Sequence, residues 1–161
     1  MRLSHRDAAP ADAPALAAMN GRLIEDERHV NPMSLPELEA RMRGWLERGE
    51  YRAALFYAES EAAHAATEAE PGVPAGYVLY QLRRDEYFPE REVVYVRHFY
   101  VERGRRRQGI GRLAFETIAR ERFPRGATLD LEVLEANPVG REFWTSLGFE
   151  PRYTAMRRGQ T

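Results

Sequence analysis

The sequence predicts a mixed α/β domain of the α+β kind, with the element order β-α-α-β-β-β-α-β-α-β around a central mixed sheet flanked by helices. Helical and strand periodicities interleave along the chain, and three strand-like runs follow one another in its middle. That order calls for antiparallel hairpins and excludes a purely parallel doubly wound sheet. A length of 161 residues fits a single domain over 1–161 with one sizeable core.

Met1–His5 reads as a short edge strand that ends at the turn-like Asp7-Ala-Ala-Pro10. Asp12 is placed to cap a helix running to about Glu27, with Leu16, Met19, Leu23 and Ile24 on one buried stripe. Asn31-Pro32 breaks that pattern. Ser34 and Glu37 have the spacing of a capping box and open a second helix with the stripe Leu35, Leu38, Met42, Trp45 and Leu46. Tyr51–Glu59 and Gly76–Arg84 read as strands. The alanine- and glutamate-rich Ser60–Ala75 between them is expected to be a long, mobile hairpin connection.

Val93–Val101 is the most strand-like run, rich in β-branched and aromatic residues. A third helix follows from Gly111 to Arg122, burying Ile110, Leu113, Ala114 and Ile118, and Pro124-Arg-Gly126 stops it. Ala127–Glu135 alternates strictly, with Leu129, Leu131 and Val133 on one face. Asn137-Pro138 supplies a cap and a first-turn proline for a fourth helix that buries Val139, Phe143, Trp144 and Leu147 and ends at Gly148. A last strand or hairpin is expected over Phe149–Arg158.

Composition narrows the function. A net charge of -1 gives no global drive toward nucleic acid or an anionic membrane. The chain has no cysteine, which removes disulfides, thiolate metal sites and a cysteine acyl-enzyme together. No apolar run approaches the roughly 20 residues that span a bilayer, and Met1–Asp7 lacks the apolar segment of a signal peptide. A cytoplasmic protein without metal is the expectation.

Positive charge is concentrated in Glu102–Gly111, Glu-Arg-Gly-Arg-Arg-Arg-Gln-Gly-Ile-Gly, between a strand and a helix. Glycine lets backbone approach an anion, and a helix start offers free N–H groups and a positive dipole end. Gly104 and Gly109 have the spacing of a nucleoside triphosphate loop, but Ile110 and Gly111 replace its lysine and hydroxyl residue. Gly109-Ile-Gly111-Arg-Leu-Ala114 satisfies a dinucleotide fingerprint, yet the upstream pattern supplies no second mononucleotide half.

A third reading takes in more residues. Arg106-Arg-Gln-Gly109-Ile-Gly111 matches [QR]-x-x-G-x-[GA] after a strand. Downstream, Asn137-Pro-Val-Gly-Arg-Glu-Phe143-Trp144-Thr-Ser-Leu-Gly148-Phe149 matches N-x-x-A-x-x-F-Y-x-x-x-G-F with glycine and tryptophan for the alanine and tyrosine. Together these resemble the GNAT-type acyl-CoA-dependent N-acetyltransferases, in motif order and over nearly the full chain.

The resemblance implies a bulged strand over Val93–Val101 that splays from Ala127–Glu135 and admits the pantetheine arm of acetyl-CoA. Backbone of Phe99 and Val101 would hold pantetheine. Backbone N–H groups of Arg106, Arg107, Gln108, Gly109, Ile110 and Gly111 would take the pyrophosphate, and Asn137 and Phe143 would border the cofactor. The reaction implied is direct acetyl transfer to a primary amine in a ternary complex. A base must first deprotonate the amine, and Glu132, His98 and the acids of Glu25–Glu27 are the candidates.

Trp144 stands where the family has the tyrosine that protonates the departing thiolate, so Tyr153 and Tyr100 are alternative acids, or water serves. Glu25, Glu27, His29 and Asn31 fall where the family binds its acceptor, a small-molecule or peptide amine; clustered acids there would attract a cationic one. The oligomeric state stays open, a homodimer being one option. The Trp144 replacement leaves room for a second reading, a non-catalytic acyl-CoA-binding or sensor module of the same fold.

Overall fold

A computed structural model describes residues 1–59 and 72–161 of the chain. Of the connection expected over Ser60–Ala75, residues 60–71 lie outside the described residues. The elements are β1 (Arg2–Asp7), α1 (Ala13–Glu27), α2 (Leu35–Glu47), β2 (Arg52–Glu59), β3 (Gly76–Arg84), β4 (Glu92–Val101), α3 (Ile110–Arg122), β5 (Thr128–Leu131) and α4 (Pro138–Ser146). The strands form one sheet in the order β1-β2-β3-β4-β5, antiparallel up to β4 and parallel between β4 and β5. This is the mixed sheet that the consecutive middle strands required.

Strand alternation sorts the core into two layers. Leu55, Tyr77, Leu79 and Tyr100 face α1 and α2, where they meet Leu16, Met19, Met42 and Trp45. Phe56, Val78, Val94 and Val96 face α3 and meet Ile110, Ala114, Phe115 and Ile118, with Phe99, Trp144 and Phe149 packed at the margin. Tyr77, Phe56, Leu16, Met42 and Ile118 are among the large side chains closed off completely, so both layers are dry.

The caps explain where the helices start. Ser34 and Glu37 close the expected reciprocal box at α2, Glu37 accepting from the Ser34 N–H at 2.7 Å. Asn137 caps α4 by accepting from the Gly140 N–H at 3.0 Å. Asp12 does not cap α1. Its carboxylate takes the Ala9 N–H and both Arg6 amino groups instead, and a 3-10 turn over Pro10–Asp12 leads into the helix.

Other expectations shift. Leu35, Leu113 and Val139 are 54%, 39% and 63% exposed, so the buried stripes of their helices are narrower than the periodicity implied. β5 spans four residues rather than nine. No strand forms over Phe149–Arg158, where Tyr153 and Met156 are 76% and 92% exposed. Those two side chains would fall on opposite faces of a strand, and Pro151 has no N–H for a ladder, so the segment offers no single apolar face to bury. Only Phe149, at its start, reaches the core margin.

Candidate active site

Two features of β4 prepare the site. Leu79 pairs with His98 but Tyr80 pairs with Val96, so Arg97 is an extra residue, a β-bulge. The bulge turns Arg97 and His98 toward the same α1/α2 face. Pairing with β5 ends at Val96 opposite Leu131, immediately before the bulge. Residues 97–101 of β4, which include Phe99 and Val101, therefore keep one edge without a neighbouring strand. An open edge of this kind can pair with the amides of an extended ligand.

The chain leaves β4 through Glu102 and a 3-10 turn over Arg103–Arg105 and enters α3 at Ile110. Arg107 and Gly109 are left-handed, at φ 64° and 78°. Alternating hands of backbone turn successive N–H groups to one side, an anion-receiving nest that runs into the free N–H groups of the helix start. Gly111 packs under Phe143, whose ring would lie 3.3 Å from any added Cβ. Phe143 in turn stacks on Phe99, their ring centres 5.8 Å apart and nearly parallel. The loop, the open edge and the α4 motif are thus brought together; the Arg106 N–H already donates to the Arg103 carbonyl at 3.4 Å, which leaves the backbone from Arg107 to Gly111 as the part open to an anion.

The arginine side chains of the loop turn elsewhere. Arg103 bonds Asp26 and Glu25 at 2.9 Å each, and Arg106 bonds Asp26 and, at 2.8 Å, the Val101 carbonyl. Burial works against the Asp26 charge, but the bonds from Arg103 and Arg106 outweigh it and hold its carboxyl below the usual range. Glu25 and Asp26 are therefore spent on anchoring the loop to α1. Among the described residues, exposed Arg107 has no partner and is the arginine of this run left to meet outer phosphates.

Glu27 faces a different group. Burial, and then the Asp26 charge, push its carboxyl up from the usual value. The charge of Glu27 is felt by the fully buried Tyr77 phenol, which burial holds well above its ordinary value and which lies 3.1 Å from His98 Nδ1. His98 is half-buried, edge-on to Trp45 at 6.1 Å. Burial, then Arg97, Arg41 and His29, push its pKa down to about 3, so it is neutral and a weak base at pH 7. Exposed His29 is thus brought near His98, while Asn31 accepts from the Met33 N–H at 3.0 Å and shapes the turn after α1.

Glu132 lies exposed just past β5, and its charge acts, after burial, to raise the Tyr95 phenol. The Asn137 oxygen is engaged as the α4 cap. Tyr153 sits on the irregular C-terminal segment with no hydrogen-bond or ring partner among the described residues, so nothing holds its phenol toward the other candidates. Tyr100 is buried and bonded to Arg22 and Glu102, each at 3.2 Å. Trp144 packs among Phe99, Phe115, Phe143 and Phe149, in the margin of the core.

The group that sequence reasoning missed is Arg41, Trp45, Tyr51, Tyr77 and Arg97. Helical and strand spacing read Trp45 as core; the adjacent Arg97-His98 pair on a strand was the available signal.

A family model described as the acetyltransferase (GNAT) family matches residues 25–149. The chain belongs to that family. No curated protein matches it closely enough to count as a relative. Among solved structures, a mutant of the BH1408 protein from Bacillus halodurans is 21% identical with a TM-score of 0.75, covering 98% of this chain and 99% of its own. A predicted acetyltransferase from Clostridium acetobutylicum, determined with acetyl-CoA, is 15% identical with a TM-score of 0.71, covering 98% and 96%. The aminoglycoside N-acetyltransferase AAC(6')-Iy in complex with CoA is 14% identical, also at 0.71, covering 99% and 95%. These likenesses extend the GNAT fold over the whole chain. No described helix is long and apolar enough to cross a membrane, and no described cluster of His, Asp and Glu could hold a metal.

Proposed function

We propose that this GNAT chain transfers an acetyl group from acetyl-CoA to a primary amine by direct attack in a ternary complex. The observation that carries the reading is the junction at Arg97. There β4 gives up its β5 partner, and the same strand runs on into a nest of N–H groups at the start of α3. Phe99 and Val101 would pair with pantetheine through backbone. The Val101 carbonyl already accepts from Arg106, so its N–H is the group left to contribute. Arg107–Gly111 would bind the pyrophosphate through backbone, with Asn137 and Phe143 alongside.

The bound thioester supplies an activated acyl carbon. The amine nitrogen forms the new C–N bond as the C–S bond breaks, and the amine proton passes to a base. Of the candidates, Glu27 is favoured, because burial and then the Asp26 charge raise its carboxyl above the usual value and make it the stronger base. Glu132, exposed at the end of β5, would act through water. His98 is better suited to orienting the Tyr77 hydroxyl than to accepting a proton. With Trp144 packed in the core margin and Tyr153 on the exposed tail, the thiolate would take its proton from water.

A second reading, the acyl-CoA sensor, is favoured by that same packing of Trp144. Thiol release with acetyl-CoA over an amine library separates the two, run beside thermal shift with acetyl-CoA. CoA release that falls at least about 10-fold in Glu27→Gln supports the transferase and its base. Acetyl-CoA binding without release over the whole library supports the sensor, and no binding overturns both.

A further inference from the structure

We propose that Arg41 and Arg97 form a recognition site for a carboxylate on the acceptor, so that the amine acetylated is one that carries a carboxylate, such as an amino acid or a short peptide. The inference rests on the acetyltransferase reading above and names its acceptor class.

Two guanidinium groups from different elements converge on one ring. Arg41, on α2, lies 4.5 Å from the Trp45 ring centre, and Arg97, at the β4 bulge, lies 4.9 Å from it. Arg97 also covers Tyr51 at 5.5 Å and donates to its hydroxyl at 3.2 Å. Burial, then the charge of Arg97, hold the Arg41 guanidinium below its usual pKa. Neither arginine has a carboxylate partner among the described residues. By contrast, Arg22, Arg103 and Arg106 are all ion-paired.

The site lacks an acceptor of hydrogen bonds, not a donor. Arg41 donates to the Asn20 amide oxygen at 3.2 Å, which leaves its own buried Nε and the Asn20 Nδ2 without partners. Asn20 is 1% exposed, so that orphaned donor has no route to bulk water. A planar carboxylate answers the charge of the two unpaired arginines, because guanidinium groups bind it through two parallel N–H bonds. Neutral His98 adds no competing charge.

The acids on the same side argue against a polycationic acceptor. Glu25 and Asp26 are already held by loop arginines, which leaves half-buried Glu27 as the acid of this cluster without an arginine partner among the described residues. Glu27 and Arg41 act on the Tyr77 phenol in opposite senses. A zwitterion, ammonium toward Glu27 and carboxylate toward the arginines, matches that polarity.

The test uses the full chain. Acetyl-CoA binding is measured first by titration calorimetry, and thiol release is then followed on α-amino acids and short peptides, on their C-terminal amides, and on polyamines and an aminoglycoside. The expected result is that carboxylate-bearing amines exceed their amides at least about 10-fold in kcat/KM, since each charged pair lost costs on the order of 1.4 kcal/mol or more. Arg97→Gln collapses the ratio of carboxylate-bearing amine to its amide in kcat/KM, chiefly through the KM of the carboxylate-bearing amine. Arg41→Gln does the same where it folds; Arg97 is exposed, so its variant keeps the test decisive. Acetyl-CoA binding with amides or polycations used equally well, or with no carboxylate-bearing amine used, overturns the inference and spares the donor reading. Absence of acetyl-CoA binding overturns both.

Discussion

At His98, burial and the charges of Arg97, Arg41 and His29 act in the same direction, and the pKa falls to about 3. Between pH about 6.5, the unfolded value, and about 3, the unfolded chain holds a proton on this imidazole that the folded chain refuses. Stability is therefore complete above pH 6.5 and is lost as pH falls through that window. His98→Gln keeps a polar partner for Tyr77 but cannot titrate. Denaturant titrations at pH 7 and pH 5 are expected to show a smaller loss of stability on acidification in the variant than in the parent; an equal loss would mean that His98 titrates normally. The sequence marked His98 as a possible base because histidine on a strand beside a gap can be one. Apart from adjacent Arg97, its neighbours Trp45 and Tyr77 come from α2 and β3, at separations that no local pattern encodes.

The elements were legible where their ends are written in side chains. The Ser34/Glu37 box, the Asn137-Pro138 start and the β-branched and aromatic run of β4 all carry local physics, and each formed. Asp12 misled because a carboxylate beside Arg6 has a stronger partner than a helix N–H. The C-terminal run misled because β-prone residues without one apolar face have nothing to pack. Gly76, at the head of β3, shows how tightly the sheet is fitted near the site. A Cβ there would lie 1.9 Å from the Tyr100 carbonyl oxygen and 2.4 Å from Phe56 Cζ. Backbone cannot yield cheaply, so Gly76→Ala is expected to cost about 3 kcal/mol or more in chemical denaturation. A loss under 1 kcal/mol would show that β3 and β4 can part at this point.

Across the whole molecule, the loop arginines couple one end of α1 to the candidate pyrophosphate nest, over nearly 80 residues of sequence. Asp26 receives both Arg103 and Arg106, and Arg106 reaches on to the Val101 carbonyl. The run of arginines was legible as an anion loop, but that half of it serves as an internal anchor was not, since Asp26 is distant in sequence. Asp26→Asn keeps the size and removes the charge. It is expected to weaken acetyl-CoA binding by about 3- to 10-fold by calorimetry, through a less ordered loop, and to leave Tm within a few degrees. Tighter binding in the variant would instead mean that freed arginines serve the phosphates better than an anchored loop does.

The bulge at Arg97 has a consequence for both halves of the site. Without residue 97, His98 would follow Val96 in regular alternation, on the same face and opposite the same Leu79. β4 would then be an uninterrupted strand along which β5 could continue. One residue thus stands between the stretch of β4 that pairs with β5 and the stretch that does not, and that same residue supplies one of the two guanidinium groups assigned to the acceptor, so a single deletion at this position is expected to disturb donor crevice and acceptor preference together.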